Sequence, residues 1–204
     1  MRILGISGSL RRDSYNTCLL RAAAMRLPPG AELELFTGLA AVPPFDEDAE
    51  LGPAPDAVER LRSEIAAADA VLIATPEYNA SVPGVLKNAI DWASRPFPDN
   101  VLRGRPVAVI GASTGLFGAV WAQAELRKVL RHTGARVLDE ELPVPGAAWA
   151  FADDGDLADP ELGRRLEALL EELVAYCRGT WSGRASTWSA SSSSDSTAAI
   201  RIPS

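Results

Sequence analysis

Residues 70–94, AVLIATPEYNASVPGVLKNAIDWAS, set a short apolar run, a proline-started polar loop and an amphipathic helical pattern in direct succession. An apolar run without polar alternation suits a strand covered on both faces, as in a parallel sheet. Pro76 halts it, because proline has no amide to donate and fixes φ, and Pro83 opens the helix. A strand that needs cover on both faces needs helices on both sides. The remaining chain supplies strand patterns at Arg2–Ser7, Glu32–Phe36, Pro106–Gly111 and Arg136–Leu138. Helical patterns fall at Asn16–Leu27, Ala57–Ala67, Val85–Ala93 and about 119–132. A last helix is marked by Leu162, Leu166, Leu169, Leu170 and Leu173, with Asp159 and Pro160 in cap and first-turn positions. Five strands alternating with five helices predict an α/β fold: an open parallel five-stranded sheet with helices on both faces.

A length of 204 residues allows one substantial domain, read here as residues 1–178. Residues 179–204 are serine-rich without apolar periodicity, which predicts a disordered tail. Trp181 and Trp188 run against that composition and are compatible with docking on a neighbouring surface. A formal charge of −7 argues against nucleic acid or an anionic membrane as partner. No stretch is long and apolar enough to span a bilayer, and Gly5, Ser7, Gly8 and Ser9 interrupt the first apolar run too early for a signal peptide. Cys18 and Cys177, far apart on predicted helices, give no disulfide framework. Together these features predict a cytoplasmic protein.

Three loops carry the chemistry. Loop one, GISGSLRRDSYNT at residues 5–17, follows the first strand and opens the first helix. A helix N-terminus offers unpaired N–H groups and a partial positive charge, which suit a phosphate. Ser9, Ser14, Asn16 and Thr17 add hydroxyl and amide donors, and Arg11 adds a charged fork. An ordinary cap needs one such residue, and this loop has several. G-x-G-x-x-G and G-x-x-x-x-G-K-[ST] are both absent, and no acidic residue closes the second strand to hold a ribose. Loop two is Thr75–Ser81 and loop three Gly111–Gly118. In a sheet ordered 2-1-3-4-5, strands one, three and four are neighbours, so their loops converge on the switch-point crevice. A phosphate at loop one with a planar ring between loops two and three describes flavin mononucleotide (FMN).

At SGSLRRDSYN, ATPEYNASVPGVLKNAIDWAS and GASTGLFGAVWAQAELRKVL the chain resembles the NADPH-dependent FMN reductase family of quinone, chromate and azo-dye reductases. The likeness runs from Met1 to about Tyr176, and PPFDED at Pro43–Asp48 is similar to the family's loop after strand two. It implies a flavodoxin-like fold and bound FMN, with NADPH or NADH as co-substrate. It also implies ping-pong transfer of hydride to a small acceptor, and a homodimer or homotetramer with the pocket completed near the subunit interface. The phosphate site carried over falls on Ser9, Arg11, Ser14, Tyr15 and Asn16. The ring site falls on Pro76, Glu77, Tyr78 and Asn79, with Ser113, Gly115 and Gly118 on loop three. Asp13 departs from the family's small or basic residue and is expected to face solvent, away from a dianion.

No side chain is required as acid or base, and none is assigned as catalytic or as a metal ligand. Glu77 fits a backbone or subunit-contact role better than a catalytic one, and Tyr78 borders the ring or simply packs. His132, at a predicted helix end, reads as a cap or dipole partner. An alternative on the same fold is an FMN-binding electron carrier, against which Arg11 counts, since carriers of this kind use hydroxyls without arginine in loop one. Flavin-free receiver or tyrosine phosphatase modules need aspartates or C-x5-R after strand one, where this chain has Ser7, Gly8 and Ser9.

Overall fold

The computed structural model describes residues 1–179; the serine-rich stretch beyond, with Trp181 and Trp188, lies outside the described residues. Five strands form one parallel sheet: β1 (Arg2–Ser7), β2 (Glu32–Phe36), β3 (Ala70–Ala74), β4 (Pro106–Ala112) and β5 (Arg136–Val144). Their order is β2-β1-β3-β4-β5, as the loop argument requires. β3 and β4 are buried at every position, which is why their sequences run apolar without alternation.

Successive side chains of each strand point to opposite faces, and the two faces carry separate cores. Leu4, Ile6, Val71, Ile73, Val107 and Val109 pack with α3 (Asp56–Ala67), α4 (Gly84–Ala93) and α5 (Val120–His132). Ile3, Leu72, Ala108 and Ile110 pack with α1 (Tyr15–Met25) and α6 (Pro160–Cys177). Ser14 caps α1 by accepting the Asn16 amide, and Asp159 caps α6 by accepting that of Glu161.

β5 is longer than its apolar pattern predicts. It continues through Asp139 and Glu140 to Val144, past a register shift between Val107 and Val109 of β4. As an edge strand it can expose those acids and accommodate Pro143, which has no amide to donate. The proline-rich loop after β2 holds a 3-10 turn at Leu39–Ala41 and a single helical turn, α2 (Glu47–Glu50). Acidic residues fill that turn and hide it from an apolar-pattern reading. Both cysteines are free and half-buried. Burial pushes the Cys177 thiol pKa up, with Asp69 as a further cause.

Candidate functional site

Loops one, two and three leave the carboxyl ends of β1, β3 and β4, which lie side by side. Their mutual seating begins with glycine. A Cβ on Gly8 would meet Leu86 Cδ2 at 2.8 Å and Pro76 Cδ at 3.2 Å, so loop one lies directly against loop two. A Cβ on Gly111 would meet the Thr75 carbonyl oxygen at 2.8 Å, so loops two and three are as close. Gly8 also donates its amide to Ala74 at 2.8 Å.

In loop one the Ser9 hydroxyl accepts the Arg11 amide at 3.3 Å, and Thr17 donates to the Ser7 hydroxyl at 3.0 Å. The Arg11 guanidinium lies 4.6 Å from the centroid of the Tyr15 ring, which itself stacks on Phe151 at 6.4 Å and 4°. Among the described residues Arg11 has no carboxylate partner. The first turn of α1 carries no acidic residue, so the amides of its positive end remain available to an anion, with Asp13 the acid nearest them in the chain. Asp13 is exposed, as expected. This donor set of hydroxyls, helix N-terminus and an unpaired guanidinium fits the phosphate of FMN.

The resemblance puts Asn16 at the phosphate, but the structure commits both ends of its buried amide elsewhere. Asn16 Nδ2 donates to the Ala112 carbonyl at 3.0 Å, and its Oδ1 accepts the Ala112 amide at 2.9 Å. One side chain thereby fastens the start of α1 to the end of β4, where loop three begins. Ser14 is likewise occupied as the α1 cap.

Loop two turns sharply at its tip. Tyr78 and Ser81 exchange both amide–carbonyl hydrogen bonds at 3.1 Å, leaving Asn79 and Ala80 as a two-residue turn at φ +52° and +58°. Pro76 is buried, whereas Tyr78 and Asn79 are exposed. Glu77 turns sideways: its Oε2 accepts the amides of Trp121 and Ala122 at 3.0 and 3.1 Å, at the N-terminus of α5. Sequence reasoning missed this cap. Its only trace is that α5 has no capping side chain of its own, Ala119 standing at that position.

Loop three is fixed at both ends and open between them. Ser113 donates its amide to Val144 and accepts that of Ala147 on its carbonyl, and its hydroxyl accepts the Gly115 amide. Gly118 lies at φ +58°, where a Cβ would come within 2.5 Å of Val144 N. Gln123, fully buried, donates to the Gly118 carbonyl at 3.0 Å and accepts the Leu142 amide at 3.2 Å. At Gly115 a Cβ would meet only the Ser113 hydroxyl at 3.5 Å, so the backbone there is open to a flat ligand.

Two residues of the LKNAIDW segment seat the loop after β2. Asn88 Oδ1 accepts the Phe45 amide at 2.7 Å and its Nδ2 donates to the Pro43 carbonyl at 2.8 Å. Trp92 Nε1 donates to that same carbonyl at 2.9 Å, while the Phe45 ring meets the indole edge-on at 5.0 Å. A cavity of about 1010 Å³ lies elsewhere, between α4 and α5. Its charges largely pair off, Lys87 with Asp91 and Arg131 with Asp139, so the converging loops carry the cofactor reading. His132 lines that cavity and lies outside the three loops.

Residues 1–148 match the NADPH-dependent FMN reductase family. The chain is 44% identical over 179 residues to an NAD(P)H-dependent FMN reductase of Pseudomonas aeruginosa, covering 87% of this chain and 96% of the relative. It is 34% identical to a 2-hydroxy-1,4-benzoquinone reductase of a Burkholderia species, with coverage of 87% and 97%. Among solved structures it is similar to FerB, a flavoenzyme NAD(P)H:(acceptor) oxidoreductase of Paracoccus denitrificans. The TM-score is 0.77 at 36% identity, over 88% of this chain and 98% of that one. The chain belongs to the NADPH-dependent FMN reductase family.

Proposed function

We propose that this protein is an FMN-dependent NAD(P)H oxidoreductase acting on quinone-type small acceptors. The observation that carries the reading is the anion-ready first loop, with Arg11 free of a carboxylate among the described residues and no acid in the first turn of α1, beside a third loop whose Gly115 leaves the backbone open. Bound FMN would supply hydride acceptance from the nicotinamide and delivery to the acceptor. The chain's own residues hold and tune it. Ser9, Arg11 and the amides at the start of α1 bind the phosphate, with Tyr15 supporting Arg11. Backbone of Pro76, Glu77, Tyr78 and Asn79 borders the ring on one side, and Ser113 and Gly115 on the other. Ser14, Asn16 and Gly118 hold these segments in register. Preorganised N–H groups from the loops favour negative charge as it develops on the bound ring system.

A subunit partner belongs to the same proposal. Tyr78, Leu116, Phe117 and Trp121 leave large apolar surfaces exposed on or beside loops two and three. Such a rim favours a homodimer or homotetramer that completes the pocket, which light scattering of the purified protein tests. No helix among the described residues is long and apolar enough to cross a membrane, and we place the enzyme in the cytoplasm.

The test is an anaerobic visible spectrum of the protein with added FMN, before and after NADPH or NADH. The expected result is bound-flavin absorption that bleaches with the nicotinamide and returns on adding a quinone. Absence of flavin binding would overturn the reading of all three loops, and bound flavin that neither nicotinamide bleaches would make the protein an electron carrier.

A further inference from the structure

We infer that Glu77 is a positioning residue for the flavin site: with Glu125 it clamps loop two to α5 and presets the loop's left-handed tip. The inference rests on the FMN reading above. Helix α5 starts from Ala119 at φ +62°, with no capping side chain of its own and no acidic residue in its first turn. Glu77 supplies both lacks, since one carboxylate oxygen accepts the Trp121 and Ala122 amides and adds negative charge at the positive helix end.

A second carboxylate runs the opposite way. Glu125 on α5 accepts the Ser81 hydroxyl at 2.6 Å and the Val82 amide at 3.4 Å. Glu77 immediately precedes the turn Tyr78–Ser81, and Ser81 closes it, so the two acids grip the turn at both ends. What they hold is costly. Asn79 tolerates positive φ, but Ala80 does not, and such a conformation persists only where surrounding contacts determine it. Because α5 follows directly from loop three, the same clamp fixes loops two and three relative to each other. Glu77 acts through the loop and contacts no reacting atom.

The test compares wild type with Glu77→Ala, Glu77→Gln and Glu125→Ala. Glu77→Ala is expected to weaken FMN binding about tenfold, the effect of losing one good cap, and to change the visible circular dichroism of the bound flavin. Glu77→Gln keeps an oxygen for both amides and should restore most of the affinity. In the flavin-free protein, Glu77→Ala should speed amide exchange at Trp121 and Ala122 and also at Ser81, whose amide closes the turn. Faster exchange confined to Trp121 and Ala122, with Ser81 and FMN affinity unchanged, would overturn the proposal and leave Glu77 a helix cap alone. Additive effects of Glu77→Ala and Glu125→Ala on FMN affinity would also overturn it, since a shared clamp requires coupling. Should either alanine variant fail to fold by far-ultraviolet circular dichroism, Glu77→Asp and Glu125→Asp, each one methylene too short to reach its partners, take its place in the same comparison. Wild type that binds no FMN defeats the FMN reading, while amide exchange still decides whether the clamp exists.

Discussion

Asn16→Asp separates a structural tie from a phosphate ligand. The side chain is 3% exposed and makes two opposed bonds to one residue, Ala112. An introduced carboxylate keeps the shape and still accepts the Ala112 amide, but it cannot donate to the carbonyl 3.0 Å away. Losing that bond costs about 1 kcal/mol, and leaving a buried carbonyl unpaired costs about 1–3 more. Together these come to roughly 3 kcal/mol. At a urea slope of roughly 2 kcal/mol/M, the flavin-free variant should unfold about 1.5 M earlier. A second signature follows from protonation. The neutral acid can donate to the carbonyl, so burial and that bond raise the introduced group's folded-state pKa above its unfolded value. A raised folded pKa contributes stability that is present below the unfolded value and lost as pH rises through the folded one. The deficit against wild type should therefore shrink in acid and be largest at neutral pH. A flavin-free urea midpoint within roughly 0.3 M of wild type, alongside weakened FMN binding, would refute the reasoning and return Asn16 to the phosphate.

Four further outcomes are expected. Arg11→Ala should sharply reduce FMN retention measured by ultrafiltration, with little change in flavin-free melting; unchanged retention would remove Arg11 from the phosphate site. Gly118→Ala meets the β5 backbone at 2.5 Å from an unfavourable φ and should lose about 3 kcal/mol by urea unfolding. Gly115→Ala, with nothing nearer than 3.5 Å, should leave flavin-free melting unchanged and weaken FMN binding. Arg26 donates to Asp156 and holds its carboxyl below the ordinary range. That contribution is full above roughly pH 4, the unfolded carboxyl's range, and is lost as pH falls through the lower folded value. Asp156→Asn should flatten this acid limb in melting temperature against pH.

The parallel strands and the three loops were legible because buried parallel strands must run apolar and their loops must end in breakers, while the strand order came with the flavodoxin-like fold that the resemblance implies. β3 shows this most clearly, five buried residues stopped by Thr75 and Pro76. β5 was only half legible, since an edge strand can carry Asp139 and Glu140 and so loses the apolar signature. The internal wiring of the site was not legible at all. Asn16 and Ala112 are 96 residues apart, and Glu77 and Trp121 are 44 apart. No local pattern marks such pairs. Asn16 carries the same residue type whether it binds a phosphate or a backbone. For Glu77 the missing cap on α5 was a signal, readable only once Ala119 was known to begin the helix.

The grip on the loop after β2 has a consequence for how this protein can change. Asn88 and the Trp92 indole nitrogen touch only main-chain atoms of Pro43 and Phe45. Such a hold is blind to the side chains it carries. The exposed residues Pro44, Glu47 and Asp48 can therefore be rewritten, in charge and in bulk, while the chain keeps its path, whereas the Phe45 ring against Trp92 and the Asp46 cap of α2 are fixed by what they touch. Position 45 must also present an N–H, so proline is excluded there although it is welcome at position 44. Diversity in this loop would then accumulate as chemistry on a fixed track.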